Sequence, residues 1–450
     1  MLLLLSMPAP AESAHPEDTR YSPAELMSDL IQLQDALRQN HPHLYRYCSK
    51  GHFEASFDHA AARLNHPMTA AEFLGLLRPL VARVGCMHTS IQPSEAYSQE
   101  IFTPKYKLFP FRLAFIGGRA FVLENFSSDP TIVRGTEVLS LNERPISEVY
   151  TRILQSLSAD GRNMTFKIWR LNNGYAGGLV ASCLGYPDRY VVECIRPGRG
   201  EVTRPTIEGR TLAELPPVLR SQRTEVGPGS FGLRIVDSLH TAVLRVRTFL
   251  RDPANEFGPF MARAFHQIRD NGVKSLIIDV RGNPGGAPEN AADLLAYLAP
   301  SPYLYFSRAI PQYASFLKPV QPHPLRFGGR VYVLMDGGCA STTGHFLSLI
   351  RFNRLGILIG EESGGSFTCN DNSTYVVLSH TKLRLRVARS EFQTAVHGFT
   401  RGRGVMPDYE VKLTKEDVLA DNDRMIDFAL ELAKRDRTGS APATWGRVGR

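Results

Sequence analysis

The sequence predicts an α/β core preceded by a helical region and a small β-rich module. Three observations carry that reading. Beyond residue 231, apolar runs such as SLIIDVRGNPGG, RVYVLMDGG and ILIGEESGG alternate with helical patterns such as EFGPFMARAFHQIRDNG and STTGHFLSLIRFN, which implies parallel strands with helices on their faces. Upstream, the first hundred residues carry helix patterns. The next hundred carry short strand patterns broken by turn residues.

The 450 residues exceed one ordinary core and divide into stretches of different texture. Residues 1–16, opening on MLLLLSMPAPAESAH, have the apolar run and small residues of an export signal without its positive start. They predict an exported protein, periplasmic or extracellular. Residues 17–100 read as a helical region carrying His88. There SPAELMSDLIQLQDALRQNHP starts at Ser22, with Pro23 next and Glu25 three residues on, a capping box. MTAAEFLGLLRPLVARVG predicts a second amphipathic helix stopped at Gly85, and CMHTSIQ then turns into a strand.

Residues 101–205 read as the β-rich module, with RAFVLENF and YVVECIRPG strand-like. Between them RGTEVLSLNERPISEVYTRILQSLSADG reads as strand, tight turn, strand, helix. That order resembles a PDZ-type module, with Asn142–Glu143 in the place of its usual Asn-Gly turn. Residues 206–230, rich in Pro and Gly, read as a linker, 231–415 as the core, and 416–450 as a C-terminal helix and a disordered tail.

Composition excludes some functions. No apolar run approaches the roughly 18–20 residues of a membrane-spanning helix. The net charge of +8 is spread thinly. Its dense runs, Lys382–Arg389, Arg401–Arg403 and Lys434–Arg437, have no interleaved aromatics, so nucleic acid is not an expected partner. Six cysteines, Cys48, Cys86, Cys183, Cys194, Cys339 and Cys369, fit no zinc spacing. They are candidates for disulfides in an exported protein or for small buried apolar residues. A metal site of Cys86, His88 and Cys339 would have poor ligand spacing. No metal or organic cofactor is expected.

The chemistry concentrates in a few turns. VYVLMDGGCASTTGHF (residues 331–346) reads as strand, small-residue turn and helix, with Ser341 at the turn. This geometry exposes a nucleophile at the carboxyl edge of a sheet, and the Thr342 amide at the helix start would suit an oxyanion. Serine is also a favoured N-cap, so both roles stand open. IIDVRGNPGG ends a strand in a glycine-rich turn whose backbone could approach a ligand. It is not a phosphate loop, because no Gly-Lys-Ser/Thr follows. His345 lies four residues along the Ser341 helix and reads as a core or surface residue. His88, at a turn after a helix, is the other candidate base.

SLIIDVRGNPGG, LMDGGCASTTGHFLSLI, ILIGEESGG and GRGVMPDYEV occur in this order. In that order they resemble the tail-specific, or C-terminal-processing, protease family S41, from about Cys86 to Val411. GCMHTS is similar to the Gly-His-Thr turn of its tricorn-like and retinoid-binding-protein-like branch. The resemblance implies a crotonase/ClpP-like core and a serine-type endopeptidase with Ser341 as nucleophile and His88 as base. Ser366 stands where the other branch has its lysine, so a Ser–Lys pair is not expected. The branch's acidic residue is replaced by Arg401, leaving Glu361 or Glu362 as the group expected to orient His88. Gly285, Gly286 and Thr342 are the expected oxyanion donors, Asp408 an expected brace of the closing turn, and a peptide or protein the expected substrate. The resemblance leaves two alternatives: an inactive peptide- or ligand-binding member of the same scaffold, and a crotonase-like acyl-CoA hydratase or isomerase. The oligomeric state is not legible.

Overall fold

The computed structural model describes residues 19–100, 103, 106–174, 176–216, 229–251 and 256–438. The candidate leader and the expected disordered tail lie outside them. Among the described residues no helix is long and apolar enough to cross a membrane, and all six cysteines are free thiols.

Three helices lie in the first described stretch: α1 (Pro23–Asn40), α2 (Lys50–Ala61) and α3 (Ala70–Ala82). The expected capping box closes the start of α1, with the Glu25 carboxylate accepting from the Ser22 amide at 2.7 Å. Strand β1 (Ser90–Gln92) follows the His88 turn.

A second sheet comprises β2 (Phe111–Ile116), β3 (Arg119–Asn125) and β4 (Glu137–Leu141), then, after helices α4 (Ile146–Ser156), α5 (Met164–Asn173) and α6 (Ala176–Leu184), β5 (Arg189–Ile195) and β6 (Thr206–Glu208). The spatial order is β6-β5-β4-β3-β2. Strand β6 pairs antiparallel with β5, so the stretch expected to be linker begins inside the sheet. Asn142 and Glu143 have φ of 48° and 66°, both left-handed as a two-residue type I′ turn requires.

The third part is built on β7 (Phe231–Val236), β8 (Thr241–Val246), helix α7 (Phe257–Asp270), β9 (Ser275–Asp279), helix α8 (Pro288–Ala296) and β10 (Phe306–Arg308). It continues through β11 (Arg330–Met335), α9 (Thr342–Phe352), β12 (Ile357–Gly360), β13 (Thr368–Asp371), β14 (Thr374–Val377), β15 (Arg384–Val387), β16 (Ser390–Thr394), β17 (Tyr409–Glu410) and α10 (Arg424–Thr438). The main sheet runs β7-β8-β9-β11-β12-β17, parallel from β8 onward. Alternation along its strands assigns the two faces. Leu276, Ile278 and Val333 pack into one core with Phe346 and Leu349 of α9, while Ile277, Tyr332 and Leu334 pack into another with Met425 and Ala429 of α10. Asp408 braces the closing turn as expected, accepting from the Leu358 amide at 2.9 Å.

The N-terminal helices are not a separate layer. Strand β1 pairs with β15, and Leu385 and Val387 of β15 are buried in one cluster with Leu33, Phe73 and Leu77. Asp29, fully buried on α1, accepts from the His380 and Thr381 amides at 2.9 and 2.8 Å. A chain boundary near residue 100 therefore does not separate two cores. That sharing puts the His88 turn against the segment after Ser341.

Glu143 holds its left-handed φ without being glycine, on an exposed turn. Glu143→Gly should raise stability by about 0.5–1 kcal/mol, read by chemical denaturation. A loss of stability would mean that the Glu143 side chain contributes a contact outweighing the strain.

Candidate active site

Ser341 joins β11 to α9 with φ 49° and ψ −123°, and its side chain makes no capping hydrogen bond. A capping serine has an extended backbone and accepts from the first turn. Ser341 does neither. A non-glycine residue in this region costs on the order of 1–3 kcal/mol and persists only where its surroundings over-determine it.

Those surroundings are glycine turns. A Cβ built on Gly285 would meet the Thr342 nitrogen at 2.8 Å and the Ser341 Cβ at 2.9 Å; one on Gly365 would meet the Ser341 nitrogen at 2.7 Å. Polar bonds fix the turn from below. Asp336 accepts from the Gly282 and Gly338 amides at 2.8 and 2.9 Å and from the Trp169 indole at 2.9 Å. Asn283, fully buried, accepts from the Ala340 amide at its carbonyl and from the Thr343 hydroxyl at Oδ1.

The expected oxyanion donors divide. The Gly285 N–H donates to Asn283 Oδ1 at 2.9 Å, so it is spent inside its own turn and the expectation for it is corrected. The amides of Gly286 and Thr342 find no acceptor among the described residues. Thr342 is the first residue of α9, where an orphan N–H and the helix dipole both favour an anion. The Thr342 hydroxyl donates to the Gly286 carbonyl at 2.6 Å, tying the two candidate donors together.

His88 is buried in the turn between α3 and β1. Its Nε2 lies 3.4 Å from Asp371 Oδ2, while Nδ1 is buried without a partner among the described residues. Burial lowers the imidazole pKa, partly opposed by Asp371. Asp371 itself is held below the usual carboxylate range, against its burial, by His88, the Ser373 hydroxyl at 2.8 Å and Arg386 at 3.1 Å.

Strand β13 brings Ser341 and His88 to one face. Cys369 lies beside the Ser341 hydroxyl. Asp371, two residues along and so on the same face, meets His88. His345, one helical turn beyond Ser341, is near enough for His88 to act on its titration. Burial chiefly, and then His88, push it down to about 3. It is a neutral core residue.

The structure corrects the acidic member. Glu362 gives both oxygens away, accepting from Arg403 Nε and Nη2 at 2.8 Å each and from the Gly404 amide at 2.8 Å. Glu361 lies toward Asp336, Glu410 and Lys412, its pKa raised chiefly by burial. Neither pairs with His88; Asp371 does. Asp371 was missed because TCNDNST carries no glycine signature. Its one cue was an aspartate ending a short strand thirty residues beyond the serine. Ser366 is buried with its hydroxyl unpartnered among the described residues, against the first turn of α9 at Gly344.

Residues 240–411 match the model of peptidase family S41. Over those residues the chain carries an S41 peptidase domain. Its activity is that of a serine-type peptidase, and its substrate a peptide or protein. Mature CPAF has a similar structure, with a TM-score of 0.65 at 13% identity over 94% of this chain and 99% of that one. So has mature CPAF complexed with lactacystin, with a TM-score of 0.64 at 13% identity over 92% and 98%. A putative peptidase from Parabacteroides merdae ATCC 43184 gives 0.51 at 14% identity over 94% and 100%. At these identities the likeness is one of fold. No curated protein matches the chain.

For the S41 core, Gly285→Ala should lower kcat at least about 100-fold, because any relief of the clash moves Ser341. Rates normalised to titrated active sites check this, and an unchanged kcat would show that the turn can yield without moving the serine.

Proposed function

We propose that this peptidase cleaves peptide bonds through Ser341, with His88 as base and Asp371 as its orienting acid. The observation that carries the reading is the strained, uncapped Ser341 sharing the β13 face with an imidazole–carboxylate pair. Ser341 Oγ attacks the scissile carbonyl while a His88 ring nitrogen takes its proton; Nδ1, the one facing no carboxylate, is free to do so. The oxyanion is received by the Gly286 and Thr342 amides, about 3 kcal/mol for each donor. His88 returns the proton to the leaving amine, and water, deprotonated in turn, hydrolyses the acyl-enzyme. Asp371 holds the ring and stabilises its cation without taking the proton. No step needs a cofactor.

The left-handed Asn142–Glu143 turn, followed directly by α4, supports a PDZ-like reading of the second sheet, which would take an extended peptide by strand addition. The parallel main sheet with helices on both faces supports a crotonase/ClpP-like reading of the core. The apolar opening residues support export, testable by N-terminal sequencing of the mature protein.

Ser341→Ala should abolish peptide hydrolysis, with the loss in kcat, and should abolish labelling by a fluorophosphonate probe, while the melting temperature holds. Retained hydrolysis would remove Ser341 from the mechanism.

The imidazole pKa is lowered, so the base is neutral at pH 7 and is protonated only on the acid side of its usual range. The acid limb of kcat/KM should fall below about 6.5. Asp371→Asn should cut kcat by about 10²–10⁴ and move the limb lower still. A limb above 6.5, or an Asp371→Asn enzyme at full rate, would reject this pairing.

A further inference from the structure

The base and the nucleophile come from distant parts of the chain, and neither belongs to the second sheet. The loop between α4 and α5 (residues 157–163), which that sheet's module contributes, nonetheless touches both turns. We infer that Asp160 and Asn163 of this loop are positioning residues that fix the His88 turn relative to the Ser341 turn. The inference rests on the Ser341–His88 reading.

One end of the loop clasps the base. The Met87 amide, adjacent to His88, donates to Asp160 Oδ1 at 2.9 Å. The Gly161 amide donates to the Gly85 carbonyl at 2.9 Å, and the Ser158 hydroxyl to the Thr89 carbonyl at 2.7 Å. Backbone groups before and after His88 are thus held by three contacts from one loop. None reaches the ring.

The other end clasps the nucleophile's support. Asn163, almost fully buried, donates through Nδ2 to the Ser363 carbonyl at 2.6 Å and to the Gly364 carbonyl at 3.3 Å. The next residue, Gly365, is the one that backs the Ser341 nitrogen, and its amide donates to the Cys339 carbonyl at 2.7 Å. The Arg162 amide donates to the Gly402 carbonyl at 2.9 Å, and a side chain at Gly161 would collide with the Gly402 backbone. The loop therefore has no room to slide. Downstream, Trp169 of α5 packs on Gly338 and donates to Asp336, the carboxylate beneath the Ser341 turn.

Asp160 is half-buried, with its Oδ2 buried and unpartnered among the described residues. Its charged neighbours are Arg46 and Asp371, and burial pushes its pKa up to about 7. Oδ1 accepts from the Met87 amide whether or not the carboxyl carries its proton, so the turn needs it as a hydrogen-bond acceptor. An amide carbonyl at the same place would do the same work. This separates the role from simple ion pairing.

The test compares Asp160→Ala, Asp160→Asn, Asn163→Ala and the milder Ser158→Ala in the full chain. For each, kcat and KM on one peptide, the rate constant for fluorophosphonate labelling of Ser341, and the melting temperature are measured. Rates are normalised to labelled sites, so unfolded protein does not count. Asp160→Ala and Asn163→Ala should lose at least about 30-fold in kcat and in labelling rate, with KM within about threefold. Ser158→Ala should lose less, and Asp160→Asn should keep kcat within about threefold of wild type. Lower melting temperatures with unchanged normalised rates would reduce the loop to a structural brace and overturn the inference. Equal damage in Asp160→Asn and Asp160→Ala would overturn the acceptor role. If the wild type itself is not labelled at Ser341, the failure belongs to the underlying catalytic reading and not to the loop.

Discussion

The site depends on one backbone constraint: a serine held at φ 49° between two glycine turns. Left alone, Ser341 would relax to an extended conformation and cap α9, as serines at helix starts do. It cannot, because Gly285 and Gly365 pack against its Cβ and its nitrogen; Asn283 and Asp336 fix the first of these turns from inside, and Asn163 holds the second. The strain has two effects together. It turns the hydroxyl away from the helix toward Cys369, and it leaves the first turn of α9 without a side-chain acceptor from Ser341, beside the Thr342 amide that is orphaned by its place at the helix start. The same geometry that denies the helix its cap thus leaves a hydroxyl and an orphan donor side by side.

Desolvation sets the electrostatics around that serine. Burial presses the imidazoles of His88 and His345 toward neutrality and pushes the Cys369 thiol well above its usual range. In so dry a place only a paired group keeps its charge, and Asp371 does so because Ser373, Arg386 and His88 share it. Difference in partners, more than difference in depth, separates Asp371 from Asp160. Asp160 has one amide, at Met87, and rises to about 7.

Much of this was legible in the residues. The alternation of apolar runs and helix patterns gave the parallel sheet, and Asn142–Glu143 gave a turn whose two left-handed φ values match its position. Ser341 and His88 stood out because glycines and small residues surround the one and a helix stop precedes the other. What stayed hidden was set by pairing across the fold. Asp371 meets His88 only because β1 pairs with β15, and Arg386 of β15 also holds Asp371. No local pattern encodes that register. Glu362 looked available because nothing near it in the chain says that Arg403 will take both its oxygens. The Gly285 amide looked available because the fold-back of Asn283 Oδ1 onto it is a side-chain choice and not a sequence pattern.

The shared cluster of α1, α3 and β15 has a consequence for when this protein becomes an enzyme. The turn that bears His88 leaves the ribosome early, whereas β13 and β15 are among the later segments. The imidazole meets its carboxylate only after Leu385 and Val387 have joined the helices made some three hundred residues earlier. Until then the serine turn and the histidine turn are separate, unremarkable loops. A nascent or clipped chain lacking β15 would carry a His88 turn without the strand that β1 pairs with. The His88–Asp371 pair thus cannot form before β13 has been made, nor be seated before β15 has paired with β1.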